Sequence, residues 1–417
     1  MENAPGLVQI QADLVKKKLN SPSFLYPFEQ IVDRDSQGKG ELLLPQGLIV
    51  PAGNLPVVSI IIPVYNQALY TFNCLRAIAA NSDDIAYEVI VIDDCSQDQT
   101  LEMLSQIKGI KVYRNSTNQG FIFSCNRGAS LAQGQYLCFL NNDTQVLPGW
   151  LGHLMGTFRA YPRAGGVGAK LLYGDRTLQE AGGMITADGR ATNWGKYRDR
   201  NQPAYNYVRE VDYCSAACLM VPTDLFRYLG GFDPNFAPAY YEDTDLCFQI
   251  RAQGYEVLYQ PRAVVIHYEG VSHGHSVETG MKQYQVHNQF KFWRKWRDRL
   301  QCPQPWGKRS RKSTICLVAL ACSEHLWAIA QILKSLGYHL NCWIEQLDFG
   351  FGQRLQQQGV ELLYSTHLAR DFAAHLQERR DLIGRVYCLD QGVALKYKSL
   401  FQALDLNFQV IALNLEI

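Results

Sequence analysis

The feature that most constrains the fold is an alternation of short apolar runs and amphipathic segments between residues 57 and 143. VVSIIIPVY (57–65) and YEVIVIDD (87–94) are rich in β-branched residues and end in turn-forming residues, and residues 68–80 between them show helical spacing. The pattern continues with a helix near 99–107, a strand at 110–113, a helix over 121–132 and a strand within 135–143. Apolar strands that alternate with helices are typical of a parallel sheet covered on both faces, so the predicted class is α/β.

The flanking regions differ from this pattern in composition. Residues 1 to about 55 are polar and end in a Pro/Gly-rich stretch, which predicts an N-terminal arm (1–55) ahead of a main domain (56–300). Within residues 150–300 the pattern is more mixed, and two antiparallel strand candidates stand out at 216–222 and 256–261.

A second alternation follows a Pro- and Gly-containing basic stretch at 301–313, which is typical of a linker. Strands are predicted at 314–322, 339–345, 360–364, 383–390 and 408–415, with helices over 324–336, 350–358, 368–380 and 393–404. Residues 314–417 are therefore predicted to form a smaller Rossmann-like α/β unit.

Charge and cysteine content exclude several classes of protein. Forty basic and 39 acidic residues give a net charge of +1, so no global field favours nucleic acid, and no nucleic-acid partner is expected. The 12 cysteines of this 417-residue chain form no CxxC or zinc-type spacing, which predicts reduced thiols in a cytoplasmic protein. Neither a secretion signal nor an apolar run of about 18 residues occurs, so we expect no transmembrane segment; peripheral association with the inner face of the cell membrane is the alternative.

Polar residues close three of the predicted strands. They are Pro63 to Asn66 after the first strand, Asp93 and Asp94 after the second, and Asn141, Asn142 and Asp143 after the fourth. Because ligands of parallel α/β sheets bind at the carboxyl ends of the strands, these groups have the chemistry to hold a base, a ribose and a divalent cation. For a single strand-terminal Asp the alternative is a turn or a helix cap, and Asp94 fits that interpretation equally well.

Six motifs in one order resemble the family 2 glycosyltransferases of GT-A fold. They are SIIIPVYN (59–66), EVIVIDDCSQDQT (88–100), the stretch from Asn118 to Thr144, GGFDPNF (230–236), YYEDTDLCFQIRAQGYEVLYQP (240–261) and VIHYEG (265–270). A closer resemblance, carried by LQEAGG (178–183), residues 209–221 and residues 236–248, is to bacterial enzymes that build surface polysaccharides such as rhamnans. The resemblance implies a mixed, mainly parallel sheet with flanking helices. It also implies inverting, metal-dependent transfer of a sugar from a UDP- or dTDP-sugar to a polysaccharide or lipid-linked glycan.

The resemblance also implies the residues of the donor pocket. The nucleotide-sugar-binding residues are expected to be Pro63, Tyr65, Asn66, Asp93, Asp94, Asn118, Gly120, Asn126, Arg127 and Asn142. Among them, the Asp93 and Asp94 pair is expected to contact the base and the ribose.

The metal site is expected at the position of the family's DxD motif. Asn141 takes the place of the first Asp, and Asp143 supplies the carboxylate. His267 resembles the third metal ligand, although a lone strand histidine outside this motif is more often structural. Because amide and carboxylate oxygens suit hard cations, the expected cofactor is Mg²⁺ or Mn²⁺.

The acceptor side is expected around the acidic start of a helix. Asp243 is the predicted catalytic base, with Glu242 and Asp245 as acceptor-binding or orienting groups. Alternatively, acids in a first helical turn only complement the helix dipole. The resemblance further suggests that His273, His275 and Lys282 close over the diphosphate.

Two regions carry weaker interpretations. The tail resembles the amino-terminal half of a GT-B domain, with a structural or partner-binding role. Phe292, Trp293 and Trp296, at helical spacing in a basic segment, predict helix packing rather than a nucleic-acid or membrane patch.

Two alternative functions are considered. The first is a catalytically impaired nucleotide-sugar-binding scaffold in a polysaccharide assembly complex, which Asn141 favours. The second, a nucleotidyltransferase, is disfavoured because PVYNQALY (63–70) has neither glycine nor a basic residue.

Overall fold

The computed structural model describes most of the predicted main domain and parts of both flanking regions. Described are 32–34, 40–42, 48–51, 53, 55–81, 85–202, 205–268, 283–300, 314–321, 323–335, 339–346, 348, 351, 354–355, 360–364, 383–389, 395 and 410–412. The predicted linker at 301–313, the helix at 368–380, and His273, His275 and Lys282 lie outside these residues. Most of the helix predicted at 350–358 and nearly all of the helix predicted at 393–404 lie outside them too.

Nineteen strands and eight α-helices are described. The strands are β1 (Val32–Arg34), β2 (Gly40–Leu42), β3 (Val58–Val64), β4 (Tyr87–Asp93), β5 (Ile110–Arg114), β6 (Tyr136–Leu140), β7 (Thr144–Val146), β8 (Ala164–Leu172), β9 (Leu178–Glu180), β10 (Gly183–Ile185), β11 (Ala191–Asn193), β12 (Arg209–Glu210), β13 (Cys218–Pro222), β14 (Glu256–His267), β15 (Thr314–Ala321), β16 (His339–Gln346), β17 (Glu361–Tyr364), β18 (Ile383–Cys388) and β19 (Val410–Ala412). The helices are α1 (Ala68–Ala80), α2 (Thr100–Ser105), α3 (Phe121–Leu131), α4 (Trp150–Ala160), α5 (Thr223–Tyr228), α6 (Glu242–Ala252), α7 (Gln283–Leu300) and α8 (Glu324–Ser335).

The main sheet has ten strands and is mixed. Its order is β12-β14-β8-β13-β6-β3-β4-β5, with β7 beside β14 and β9 beside β8. Strands β5, β4, β3 and β6 are parallel, and β13 runs antiparallel between β6 and β8, as predicted for that segment. The prediction of an antiparallel strand at 256–261 was wrong with respect to its longest partner: β14 runs parallel to β8 and antiparallel only to the short strands β7 and β12.

Apolar side chains cover the main sheet on both faces. Because side chains alternate along a strand, Ile60 and Ile62 of β3 pack in one core with Phe72 of α1, whereas Ile61 packs in another with Ile122 of α3. Every residue of β3 and β4 is buried, as expected for parallel strands between two helical layers. The predicted α/β class, with a mainly parallel sheet and flanking helices, is confirmed.

Helix α7 packs through the aromatic residues of the basic segment. The Phe292 ring is fully buried and contacts the rings of Tyr241 and Phe248. Trp296 contacts Phe248 and donates its indole N–H to Asp245 Oδ1 at 2.7 Å. The prediction that this segment packs as a helix is confirmed for Phe292 and Trp296.

The C-terminal strands form a separate five-stranded sheet in the order β17-β16-β15-β18-β19. All its neighbouring strands are parallel, and the order 3-2-1-4-5 is that of a Rossmann-like doubly wound sheet. The strand pattern expected for the smaller unit is therefore present. Its likeness to half of a GT-B domain and the predicted domain boundaries stay predictions.

Helix hydropathy and the state of the cysteines can be stated for the described residues. Across that part of the chain, no helix combines the length and the apolarity needed to cross a membrane. Ten described cysteines are free thiols, and all except Cys95 are buried. The cytoplasmic location stays a prediction.

Two glycines, Gly168 in β8 and Gly156 in α4, differ in the space around them. A Cβ at Gly168 would lie 2.3 Å from Cys214 Cβ, whereas one at Gly156 in α4 would meet nothing within 4 Å. We expect Gly168→Ala to lower the free energy of unfolding by about 1–3 kcal/mol through overpacking. Gly156→Ala should raise it by about 1 kcal/mol through helix propensity. Urea unfolding measures both; equal effects of the two substitutions would contradict this packing.

Candidate active site

The parallel pairing of β3 with β4 and β6 brings the predicted polar strand ends to one edge of the sheet. Val64 at the end of β3 pairs with Asp93 at the end of β4, and β6 runs parallel to β3 on its other side and leads directly into Asn141. The first condition for a common site is therefore met by the backbone alone.

The two strand-terminal aspartates use their carboxylates to shape this edge. Asp93 Oδ1 accepts a hydrogen bond from the Ser96 amide at 3.0 Å, and Asp93 Oδ2 lies 3.1 Å from Arg114 Nη1. The Asp94 carboxylate accepts three hydrogen bonds. The donors are Asn115 Nδ2 at 2.6 Å, the Gln119 amide at 2.8 Å and the Gly120 amide at 2.7 Å. Asp94 therefore fixes the loop before α3 instead of capping α2, whose first turn is bonded by Asp98.

The residues after β3 form a turn at the same edge of the sheet. Asn66 lies in the left-handed region (φ 57°); its amide donates to Ser96 Oγ and its side-chain oxygen accepts from the Gln97 amide, both at 2.7 Å. Tyr65 is 43% exposed at this edge, whereas Pro63 is buried within β3. Of these three predicted donor residues, Tyr65 therefore offers the most surface to a ligand.

Four of the residues predicted to bind the nucleotide sugar lie in or just before α3. Two of them, Asn126 and Arg127, form hydrogen bonds to other parts of the protein. Asn126 exchanges two hydrogen bonds with the Phe232 backbone, at 2.8 and 2.9 Å. Arg127 donates to the Arg114 carbonyl and to Asn115 Oδ1. Asn118 is exposed, and Gly120 adopts φ 86° at the start of α3. Their role in binding a donor stays a prediction.

Asn141, Asp143 and His267 come together as predicted. His267 Nε2 lies 3.3 Å from Asp143 Oδ1 and 3.3 Å from Asn141 Nδ2. Asn141 Oδ1 is buried and has no hydrogen-bond partner among the described residues. Asn142 points elsewhere: its amide donates to Thr71 Oγ1 of α1 at 2.9 Å.

Gln179 in β9 contacts the other nitrogen of the same histidine, and the sequence had assigned it no role. Its Oε1 lies 2.8 Å from His267 Nδ1. LQEAGG (178–183) was the available signal, because that motif took part in the resemblance without a function for any of its side chains.

A short backbone segment joins the Asn141 cluster to the predicted base. Asp243 Oδ2 accepts from the Ala216 amide at 3.1 Å, and the carbonyl of the next residue, Ala217, accepts from the Asn141 amide at 3.1 Å. The preceding Ser215 amide donates to Glu180 Oε1 at 3.0 Å. The backbone of residues 215–217 therefore forms hydrogen bonds to Glu180, Asp243 and Asn141.

The two acids at the start of α6 have different surroundings. Burial, followed by the charge of Asp243, raises the pKa of Glu242 well above its usual value, and Glu242 Oε2 has no hydrogen-bond partner among the described residues. Burial also raises the pKa of Asp243, but hydrogen bonds from the Ala216 and Thr244 amides oppose that rise. Of the two acids, Glu242 is therefore expected to keep its proton to the higher pH, and Asp243 to ionise first.

Asp245 is bound to α7. Its carboxylate lies 2.8 Å from Lys295 Nζ and accepts from Trp296 Nε1, and its side chain is fully buried. The expectation that Asp245 orients the acceptor therefore does not agree with the structure: Asp245 faces the packing helix, and its charge is balanced there.

Much of the sequence that forms this sheet edge lies in a range that matches a known family model. Residues 59–224 match the family model described as "Glycosyl transferase family 2". Residues 59–224 are therefore similar in sequence to family 2 glycosyltransferases. The matched range includes Asn141 and Asp143 and ends before Asp243 and His267.

Two proteins of related sequence are much longer than this chain. "Uncharacterized protein y4gI" of Sinorhizobium fredii is 30% identical over 237 residues, which cover 54% of this chain and 26% of that protein. "O-antigen biosynthesis protein RfbC" of Myxococcus xanthus is 28% identical over 231 residues, which cover 53% of this chain and 18% of that protein. The chain thus matches about a quarter or less of the length of these relatives.

Among solved structures, one described as "GalNAc-T7 with UDP, GalNAc and Mn2+" aligns with 72% of this chain and 59% of that chain. The TM-score is 0.49 and the sequence identity 15%. A likeness of this size does not bear on ligands or chemistry.

The bonds of Asp94 give a test of how the loop before α3 is held. Asp94→Asn replaces one acceptor oxygen by an amide group that faces N–H donors. We expect the free energy of unfolding to fall by about 1–3 kcal/mol. Amide hydrogen exchange of Gln119 and Gly120 should accelerate in the same variant. Asp298→Asn, at a side chain that is 95% exposed, is the control; unchanged exchange in Asp94→Asn would show that the loop is held by other contacts.

Proposed function

We propose that this protein is an inverting, metal-dependent glycosyltransferase that moves a sugar from a nucleotide-diphosphate sugar to a polysaccharide or lipid-linked glycan. The observation that carries the proposal is the convergence of Asn141, Asp143 and His267 at the sheet edge that also bears Asp93 and Asp94. The family 2 match supports the reaction class.

The side chains of this cluster fit a hard divalent cation, Mg²⁺ or Mn²⁺. Asn141 Oδ1 is a buried acceptor without a protein donor among the described residues, which is the environment expected of a metal-ligating oxygen. No group of three His, Cys, Asp or Glu side chains suited to a metal occurs in the described ranges, so the amide of Asn141 would have to be the third ligand beside Asp143 and His267. When bound, the ion supplies charge neutralisation for the diphosphate leaving group.

Asp243 has the properties required of the base. An acceptor hydroxyl oxygen attacks the anomeric carbon from the face opposite the diphosphate, the bond to the diphosphate oxygen breaks, and the hydroxyl proton passes to a carboxylate. Asp243 is fixed by the Ala216 and Thr244 amides, and burial raises its pKa towards the neutral range in which general bases work best. Glu242, which holds its proton, would donate a hydrogen bond to the acceptor or to the donor sugar.

A surface polysaccharide is the favoured acceptor class. The motifs shared with rhamnan-type enzymes support it, as does the name of the Myxococcus xanthus relative. UDP- and dTDP-sugars are the favoured donors.

The function is tested by nucleotide-diphosphate release. UDP-, dTDP- and GDP-sugars are supplied with Mn²⁺ and acceptor glycans, and we expect release to require both a UDP- or dTDP-sugar and the metal. His267→Ala should weaken Mn²⁺ binding by at least about tenfold and slow release, because a ligand is lost. Asp298→Asn is the matched control. Donor binding without release would instead favour the nucleotide-sugar-binding scaffold.

The two neighbouring acids should respond differently to neutralisation. Asp243→Asn removes the base, so we expect kcat to fall by about 10²–10⁴-fold. Glu242→Gln copies the protonated side chain, so kcat should stay within about tenfold of wild type. Because Asp243 must be ionised, activity should fall as pH drops through its raised pKa, with an acidic limb above the usual range of an aspartate. If Glu242→Gln were the more damaging substitution, the two roles would be reversed.

A further inference from the structure

We infer that Gln179 is a positioning residue: it fixes His267 in the tautomer with the proton on Nδ1 and directs the unprotonated Nε2 towards Asp143 and Asn141. The inference rests on the proposed metal-dependent function and adds to it a residue that controls how strongly the cation is held.

The geometry determines which nitrogen carries the proton. The Gln179 side chain approaches His267 at two points: Oε1 lies 2.8 Å from Nδ1, and Nε2 lies 3.5 Å from the carbonyl oxygen of His267 itself. A carbonyl oxygen only accepts, so the longer contact places the NH₂ group of Gln179 at the carbonyl and its oxygen at the ring. That oxygen also only accepts, and Nδ1 must therefore be the donor.

In the neutral imidazole, the opposite ring nitrogen then has a lone pair that faces the metal cluster. Asn141 Nδ2, a donor, lies 3.3 Å from Nε2, which agrees with an acceptor at that position. Asp143 Oδ1 is equally close, and a carboxylate oxygen and a basic nitrogen at 3.3 Å are both electron-pair donors. Such a pair suits a shared cation, and neutral imidazole is the form of histidine that binds metals.

The backbone explains why a glutamine reaches this ring. β9 pairs with β8, and β8 pairs with β14, so β9 lies two strands away from His267. The β8–β9 register is irregular: Leu171 pairs with Glu180 and Leu172 with Leu178, so two consecutive residues of β8 lie opposite a stretch of three residues in β9. Irregularities of this kind redirect side chains near active sites. Gln179 is almost fully buried, so water does not readily replace its bond to the ring.

The test compares the ring tautomer and Mn²⁺ affinity in matched variants. Gln179→Leu keeps the volume and removes the acceptor, whereas Gln179→Glu restores an acceptor at the ring. Gln260→Leu is the control, because Gln260 is another buried glutamine of the same sheet and bonds to Thr157, away from the cluster. Heteronuclear NMR of the imidazole nitrogens, with His267→Ala for assignment, reports the tautomer without metal. Calorimetric titration of the 417-residue chain with Mn²⁺, with and without UDP, reports the affinity.

The expected result is a His267 ring with its proton on Nδ1 in wild type, a shift towards Nε2 protonation in Gln179→Leu, and a loss of Mn²⁺ affinity of about 10–100-fold in that variant. Gln179→Glu should recover both properties, and Gln260→Leu should change neither. The inference is overturned if Gln179→Leu keeps the Nδ1 tautomer and wild-type Mn²⁺ affinity, or if Gln260→Leu disturbs the His267 ring equally. Failure of the proposed function is a different outcome: Mn²⁺ would not bind, or His267→Ala would bind it normally, whatever the tautomer.

Discussion

The segment Ser215–Ala217 is the connection on which the candidate site depends. Its consecutive peptide groups bond to Glu180, to Asp243 and to the amide of Asn141. The segment leads into β13, the antiparallel strand between β6 and β8. The residues just before β13 therefore bond both the predicted base, Asp243, and one predicted metal ligand, Asn141. In a sheet without β13, these two groups would have no shared backbone to align them.

Most of the polar residues that follow β3 and β4 form hydrogen bonds within the protein itself. Asp93 and Asp94 each bind the chain that follows them, and Asn66 is bonded to the turn at Ser96 and Gln97. If the proposed donor binds at these groups, it would meet an edge that is already ordered, so binding would lose less conformational entropy than it would with mobile loops. Preorganised polar groups are also the main source of electrostatic stabilisation in enzymes.

The sequence predicted the fold best where its periodicity was long and regular. Helix α1 has the predicted bounds, and β3 and β4 differ from theirs by a residue or two. The segment 256–261 is antiparallel to β12 as predicted, but its parallel pairing with β8 was missed because an apolar run predicts a strand and not all of its partners. Gln179 escaped notice because a three-residue strand carries no periodic signal, and its approach to His267 depends on an irregular register. Asn126 was expected to face the cleft, but it bonds to the Phe232 backbone, a contact across about a hundred residues that no local pattern encodes.

The burial of Glu242 affects how the stability of the native state depends on pH. An acid whose pKa is raised by folding binds its proton more tightly in the native state than in the unfolded chain. Its contribution to stability is therefore complete at low pH and declines as pH rises from the unfolded pKa towards the folded one. The same burial that leaves a protonated carboxyl beside Asp243 thus makes the native state less stable as the medium becomes more basic, an instance of the compromise between activity and robustness.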